Sequence, residues 1–164
     1  MSLQSWPDAI QNSCTSFNAK MRSVAAAVNL NIPASVTWYP HGQKPAVPSY
    51  PYLTAWFLNT GDWDAARRKL KTRIQLDLFT TGSQLGLAQR IAGQVYKILG
   101  YDSVLSIMEC AVPQTDYEAA KAVPARVALP LHDMSLELRS GWETQPDEDP
   151  EVSHLFTNLI LYYE

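Results

Sequence analysis

The sequence predicts an α+β fold: a mainly antiparallel sheet with an N-terminal helix and a second long helix packed on one face. Three observations carry that prediction. Two segments repeat apolar residues at helical spacing. Several short segments are apolar or alternate at strand length. The two kinds do not follow one another in regular βαβ order. At 164 residues the chain is expected to form one domain over 1–164.

The first helix is expected from about Trp6 to Asn29. Ser5 and Asp8 fit an N-cap pair, and Pro7 is tolerated in a first turn. Ile10, Cys14, Phe17, Met21, Val24 and Val28 then step by four and three, which makes one apolar stripe. The stripe covers fewer than four heptads and lacks paired flanking charges, so it reads as core rather than coiled-coil seam. Pro33 stops the helix.

"SVTWY" (Ser35 to Tyr39) and "YLTAWFL" (Tyr52 to Leu58) are strand candidates. Between them "PHGQKPAVPSYP" carries prolines at 40, 45, 48 and 51, which exclude a helix and leave an extended loop suited to docking. "NTGDWDAARRKLK" reads as a polar connection with one helical turn.

"TRIQLDLFTTGSQLGLAQRIAGQ" (Thr72 to Gln94) reads as strand, turn and helix. Ile74, Leu76 and Leu78 face one side, while Arg73, Gln75 and Asp77 face the other, the pattern of a half-buried strand. Thr81 or Ser83 can cap the helix that follows. Ala88, Ile91, Ala92, Val95, Ile98 and Leu99 share a face of that helix, and Gly100 supplies its stop. Gly82 is expected to permit the turn, and Gly93 to let the helix approach the sheet. Further strands are expected at Ser103 to Val112, Ala125 to Leu131, Asp133 to Ser140 and Ser153 to Tyr163. A short "TDYEAAKAV" helix and an acidic turn or loop, "GWETQPDEDPE", lie between strands. The sequence holds no internal repeat.

The strand–turn–helix outline raises the question of nucleotide binding, and the residues answer it. A phosphate loop needs its glycines followed directly by Lys-Ser or Lys-Thr, yet Leu87 follows Gly86 and no lysine occurs before Lys97. The dinucleotide fingerprint needs a third glycine and a buried parallel strand. Metal chemistry has equally little support: His41, His132 and His154 lie in separate segments without a ligand pair at fixed spacing. Cys14 and Cys110 sit on apolar segments, where an inert buried thiol is the ordinary outcome. Asp62, Asp64, Glu109, Asp116 and Glu118 show no spacing that compels acid/base work. The expectation is no enzyme, no cofactor and no metal. No apolar run approaches the roughly 20 residues of a membrane span, and the start lacks the pattern of a secretory signal. A soluble protein made in the cytoplasm is expected.

Charge segregation stands out. Five of thirteen basic residues, Arg67, Arg68, Lys69, Lys71 and Arg73, fall within seven positions. "ETQPDEDPE" carries Glu143, Asp147, Glu148, Asp149 and Glu151 and no base. Two solvated patches would account for this. So would contacts between copies, because patches of opposite sign favour head-to-tail association that closes into rings. The candidate interface residues are Arg67, Arg68, Lys69, Lys71, Arg73, Glu148, Asp149 and Glu151. A basic cluster can also touch passing DNA, through phosphates.

The order of elements resembles a known family. A helix leads to a strand, then "YPYLTAWFLNTGDWD", then "KTRIQLDLFTTGSQLGLAQRIAGQVYKILGYD", and the chain ends in "LFTNLILYY". This is similar to the tail terminator, or tail completion, proteins of long-tailed bacteriophages, most closely over residues 5 to 110. The resemblance implies a structural protein of the virion: a hexameric ring at the head-proximal end of the tail. It would stop tube polymerisation, contact the tail tube protein and meet the head connector or neck protein. Two other classes stay open. One is a neck or head–tail connector protein. The other is a small enzyme with a dispersed site, which a deep pocket lined by a histidine and carboxylates would distinguish.

Overall fold

The computed structural model describes residues 6–32, 34–59, 61–82, 84–101, 135–146, 149 and 151–163. Helix α1 spans Trp6–Asn31 and stops just short of Pro33, as the restricted backbone before a proline requires. Phe17, Met21, Val24 and Val28 are fully buried, so this half of the stripe faces the core. The side chains of Ile10 and Cys14 lie outside the described residues.

Strand β1 (Thr37–Tyr39) and strand β2 (Tyr52–Phe57) pair in parallel, Thr37 opposite Tyr52 and Tyr39 opposite Thr54. A parallel pair needs a crossover of about a dozen residues, and the proline-rich loop at 40–51 supplies it. That is why a long loop sits inside a compact sheet. The sheet is consequently mixed, with every other described pairing antiparallel.

Among its described residues, the polar connection after β2 holds no helical turn. Strand β3 (Asp62–Asp64) folds back on the start of strand β4 (Lys69–Thr81) as a hairpin. Asp64 Oδ1 accepts a bond from Arg67 N at 3.0 Å, and Arg68 adopts a positive φ of 52°. A single polar turn is too short to nucleate helix, whereas pairing with an existing strand satisfies the same backbone groups.

Strand β4 alternates as expected: Leu70, Thr72, Ile74, Leu76, Leu78 and Thr80 are buried. Helix α2 (Leu85–Tyr101) begins with Gln84 O accepting from Ala88 N, while Thr81 Oγ1 donates to the Gln84 side chain. Ser83 lies outside the described residues. The helix continues one residue beyond Gly100, which a glycine in a last turn tolerates. Gly93 does not approach the sheet: a Cβ there would meet nothing within 4 Å. It stands four positions from both Gln89 and Lys97 and shares their exposed side. The close approach belongs to Gly82, where a Cβ would lie 2.7 Å from the Glu151 carbonyl carbon. Gly82 N also donates to Glu151 O.

Strand β5 (Ser135–Leu138), strand β6 (Glu143–Gln145) and strand β7 (Val152–Tyr163) complete the described sheet. The acidic segment is thus not loop throughout, because β6 forms within it. The strand order is β1-β2-β4-β7-β5, with β3 on β4 and β6 on β7. The spine is the β4–β7 ladder, running from Leu70 opposite Tyr163 to Thr81 opposite Val152. The strands expected at 103–112 and 125–131, and the helix between them, lie outside the described residues. So do Cys110, His132, Glu109, Asp116, Glu118 and Glu148.

Both helices cover one face of the sheet. Phe17, Met21 and Val28 of α1 and Ile91, Val95 and Leu99 of α2 join Leu53, Ile74, Leu76, Leu78, Leu159 and Leu161 in a single core. Each such side chain contributes about 1.5–3 kcal/mol on burial. The expected α+β class is the observed one.

Candidate interaction surface

The second face of the sheet carries the residues with chemistry, and alternation places them there. Residues directly opposite in a ladder share a face. Lys71, Arg73, Gln75, Asp77 and Phe79 therefore line up beside Tyr162, Ile160, Asn158, Phe156 and His154. Tyr52, Thr54 and Trp56 of β2 extend the rows on the other side.

One half of this face is sealed. Tyr52 and Phe79 stack at 4.8 Å, and Phe79 and His154 at 4.1 Å, with Tyr39 edge-on to Tyr52 at 5.4 Å. His154 Nε2 lies 2.6 Å from Asp77 Oδ1, which also accepts from Gln75 Nε2 at 2.9 Å. Asp77 and His154 are both buried. Sequence reasoning placed Asp77 on the polar side of its strand, which is correct, but did not foresee its burial. The pair spans 77 positions and becomes visible only once the β4–β7 register is known.

The other half is open and charged. The β3–β4 turn presents Arg67, whose guanidinium lies 4.4 Å from the Tyr162 ring centre. The same group bonds Asp64 Oδ2 at 3.1 Å and Glu137 Oε2 at 3.4 Å. Tyr162 donates its hydroxyl to Glu137 at 2.9 Å, and Arg139 bonds the other carboxylate oxygen at 2.9 Å. Lys71 Nζ stands 3.9 Å from Asp64. The backbone N–H of Arg67, reinforced by its guanidinium, holds the Asp64 carboxyl below the usual range. The Arg139 and Tyr162 hydrogen bonds do the same for Glu137. Burial, and then the Glu137 carboxylate, push the Tyr162 phenol up.

The five clustered cations consequently differ in kind. Arg67 and Lys71 meet carboxylates of their own chain. Lys69 lies in the ladder opposite Asp64. Arg68, at the turn, and Arg73, beside Leu58, are exposed and have no carboxylate partner among the described residues. Trp56 and Leu58, beside Arg73 rather than Arg68, are about half exposed, at 52% and 49%.

Of the acidic candidates, Asp149 and Glu151 lie at the far end of the spine. Asp149 Oδ1 accepts from Glu151 N at 2.9 Å, and Val152 N donates to Asp149 O, which shapes a turn directly before β7. That turn is pinned to Gly82, and Ser153 Oγ adds a bond to Gly82 O. From Lys71 to Thr81 the ladder runs ten residues, about 33 Å at strand rise. The two charge clusters are therefore not brought together within the chain.

Among the described residues, no group of three or more His, Cys, Asp or Glu is placed to hold a metal ion. No described helix is long and apolar enough to cross a membrane.

No protein-family model matches the chain, and no curated protein does. Among solved structures, the chain is similar in fold to a chain of the virion of a native gene transfer agent particle. The likeness has a TM-score of 0.52 at 10% identity and covers 91% of this chain and 93% of that one.

Proposed function

We propose that the chain is a structural protein of a virion. It forms a ring of six at the head-proximal end of a long tail, where it ends tube polymerisation and joins the tail to the head connector. The observation that carries this is the likeness, over nearly the full length of both chains, to a chain that is itself part of a virion. The resemblance in element order to tail terminators supplies the station. The placement of charge supplies a means of self-association, because basic and acidic clusters at opposite ends of one rigid ladder suit head-to-tail contacts. Contact of these cations with the phosphates of DNA passing through the ring is the competing use of the same surface.

Removal of the gene from its particle, followed by electron microscopy, tests this reading. Tails of uncontrolled, excessive length are expected. Tails of normal length that fail to join heads would instead assign the chain to the neck or connector. Normal particles would overturn the proposal.

A further inference from the structure

We infer that the contact between copies is specific: Arg68 and Arg73 of one chain, with the apolar shelf of Trp56 and Leu58, receive the Glu151 turn of the next. This rests on the ring reading above and names the surfaces that would make the ring.

Three observations converge. The first is charge left over after internal pairing. Asp64 and Glu137 engage Arg67, Lys71 and Arg139, and leave Arg68 and Arg73 without a carboxylate among the described residues. The second is the state of the acidic turn. Glu151 is exposed, its side chain has no cation among the described residues, and its backbone is held by Gly82. A fixed turn loses little conformational freedom on docking. The third is the apolar shelf. Trp56 stands opposite Gln75, one same-face position from Arg73, and Leu58 N bonds Arg73 O. Burying that shelf would lower the local dielectric around Arg73 and strengthen its attraction to a carboxylate. Since the Glu151 turn lies about 26 Å from Arg73 and about 33 Å from Lys71 on one chain, the contact joins unlike patches. Made in one direction from copy to copy, such a contact is heterologous and generates a ring where its rotation closes.

The same distance makes the test unambiguous. Full-length chain, half of it 15N-labelled, is concentrated until it assembles and treated with a zero-length reagent that couples amines to carboxylates. Lys71 lies on the same face as Arg73, and a Lys71–Glu151 link cannot form within one chain. Mixed-isotope links between these residues are expected. Arg68→Glu with Arg73→Glu should lower the assembled fraction about tenfold, as should Glu151→Arg, with unfolding temperature unchanged. Combining all three in one chain should restore assembly, which separates a lost contact from a damaged fold. Rings that form equally well in every variant would overturn this contact and leave the ring reading standing. A wild-type chain that stays monomeric at every concentration would overturn both. A two-fold dimer would also overturn the contact. So would variants that assemble normally yet lose retention of duplex DNA, because the cations would then face nucleic acid.

Discussion

The two ends of the second sheet face belong to the same pair of strands and differ in almost everything else. At the Thr81–Val152 end the rings of Tyr52, Phe79 and His154 stack and the Asp77 carboxylate is buried among them. At the Lys71–Tyr162 end the same rows carry guanidinium, ammonium and carboxylate groups in contact with water, beside a half-exposed tryptophan. The β4–β7 pairing and its alternation continue through both, but the flanking strands differ: β2 and β6 border the first end, β3 and β5 the second. Side-chain chemistry and these neighbours divide one continuous ladder into a stacked half and a charged half. Substitutions within the stacked cluster should therefore show in unfolding, and substitutions of Arg68, Arg73 or the Glu151 side chain in assembly.

The largest effect is expected at His154. Its replacement by alanine removes a stacked ring and strips a buried carboxylate of its closest partner. Leaving a buried acceptor without its partner costs about 1–3 kcal/mol and the lost ring leaves a cavity, so urea unfolding should record a loss of roughly 3 kcal/mol. A loss no larger than that of an exposed substitution would mean that the sealed half is not part of the stabilising core. Gly82→Ala comes next. Its new Cβ meets main chain rather than a flexible side chain, so the turn before β7 must shift, at about 1–3 kcal/mol. Because that turn carries Glu151, this variant should weaken both folding and assembly.

The sequence made some of this legible and hid the rest for identifiable reasons. β4 and α2 were readable because Ile74, Leu76 and Leu78 keep a period of two and Ala88, Ile91, Val95 and Leu99 a helical one. β3 was missed because Asp-Trp-Asp offers one apolar residue and no period, so only its partner strand makes it a strand. The basic cluster was visible as density of charge. Its division into paired and unpaired members was not, since Glu137 lies 70 positions from Arg67. Gly82 was recognised as a turn glycine, but its reason is the approach of the Glu151 backbone from a segment distant in sequence. Each omission depends on register, which a single sequence does not encode locally.

At the open end, Arg67→Met keeps much of the side-chain volume and removes the charge. It loses a cation–π contact and two exposed ion pairs, about 1 kcal/mol in all, and added salt should shrink the difference from wild type. The same network predicts a pH dependence. Folding lowers the pKa of Asp64 and Glu137, so the folded state binds fewer protons than the unfolded chain around about pH 4. Their stabilisation is fully present above the ordinary carboxylate range and is lost as pH falls through the lowered values. Acid titration of the Arg67→Met variant should show a shallower loss than wild type. An identical profile would place the acid-sensitive groups elsewhere.

The smallest effect on folding is also the sharpest test of the division between the two ends. Arg68 holds a positive φ of 52° at the β3–β4 turn. For a residue with a Cβ, that conformation costs about 1–2 kcal/mol. Glycine adopts it freely but loses more backbone entropy on folding, about 0.5–1 kcal/mol. Arg68→Gly should therefore stabilise the isolated chain slightly, by about 0.5 kcal/mol in urea unfolding. The same change removes a cation that has no carboxylate partner among the described residues, so assembly should weaken while the fold strengthens. Opposite signs from one substitution are not expected of a residue that only closes a turn. If assembly were unchanged in a stabilised variant, Arg68 would be a solvated turn residue and Arg73 alone would carry the open end.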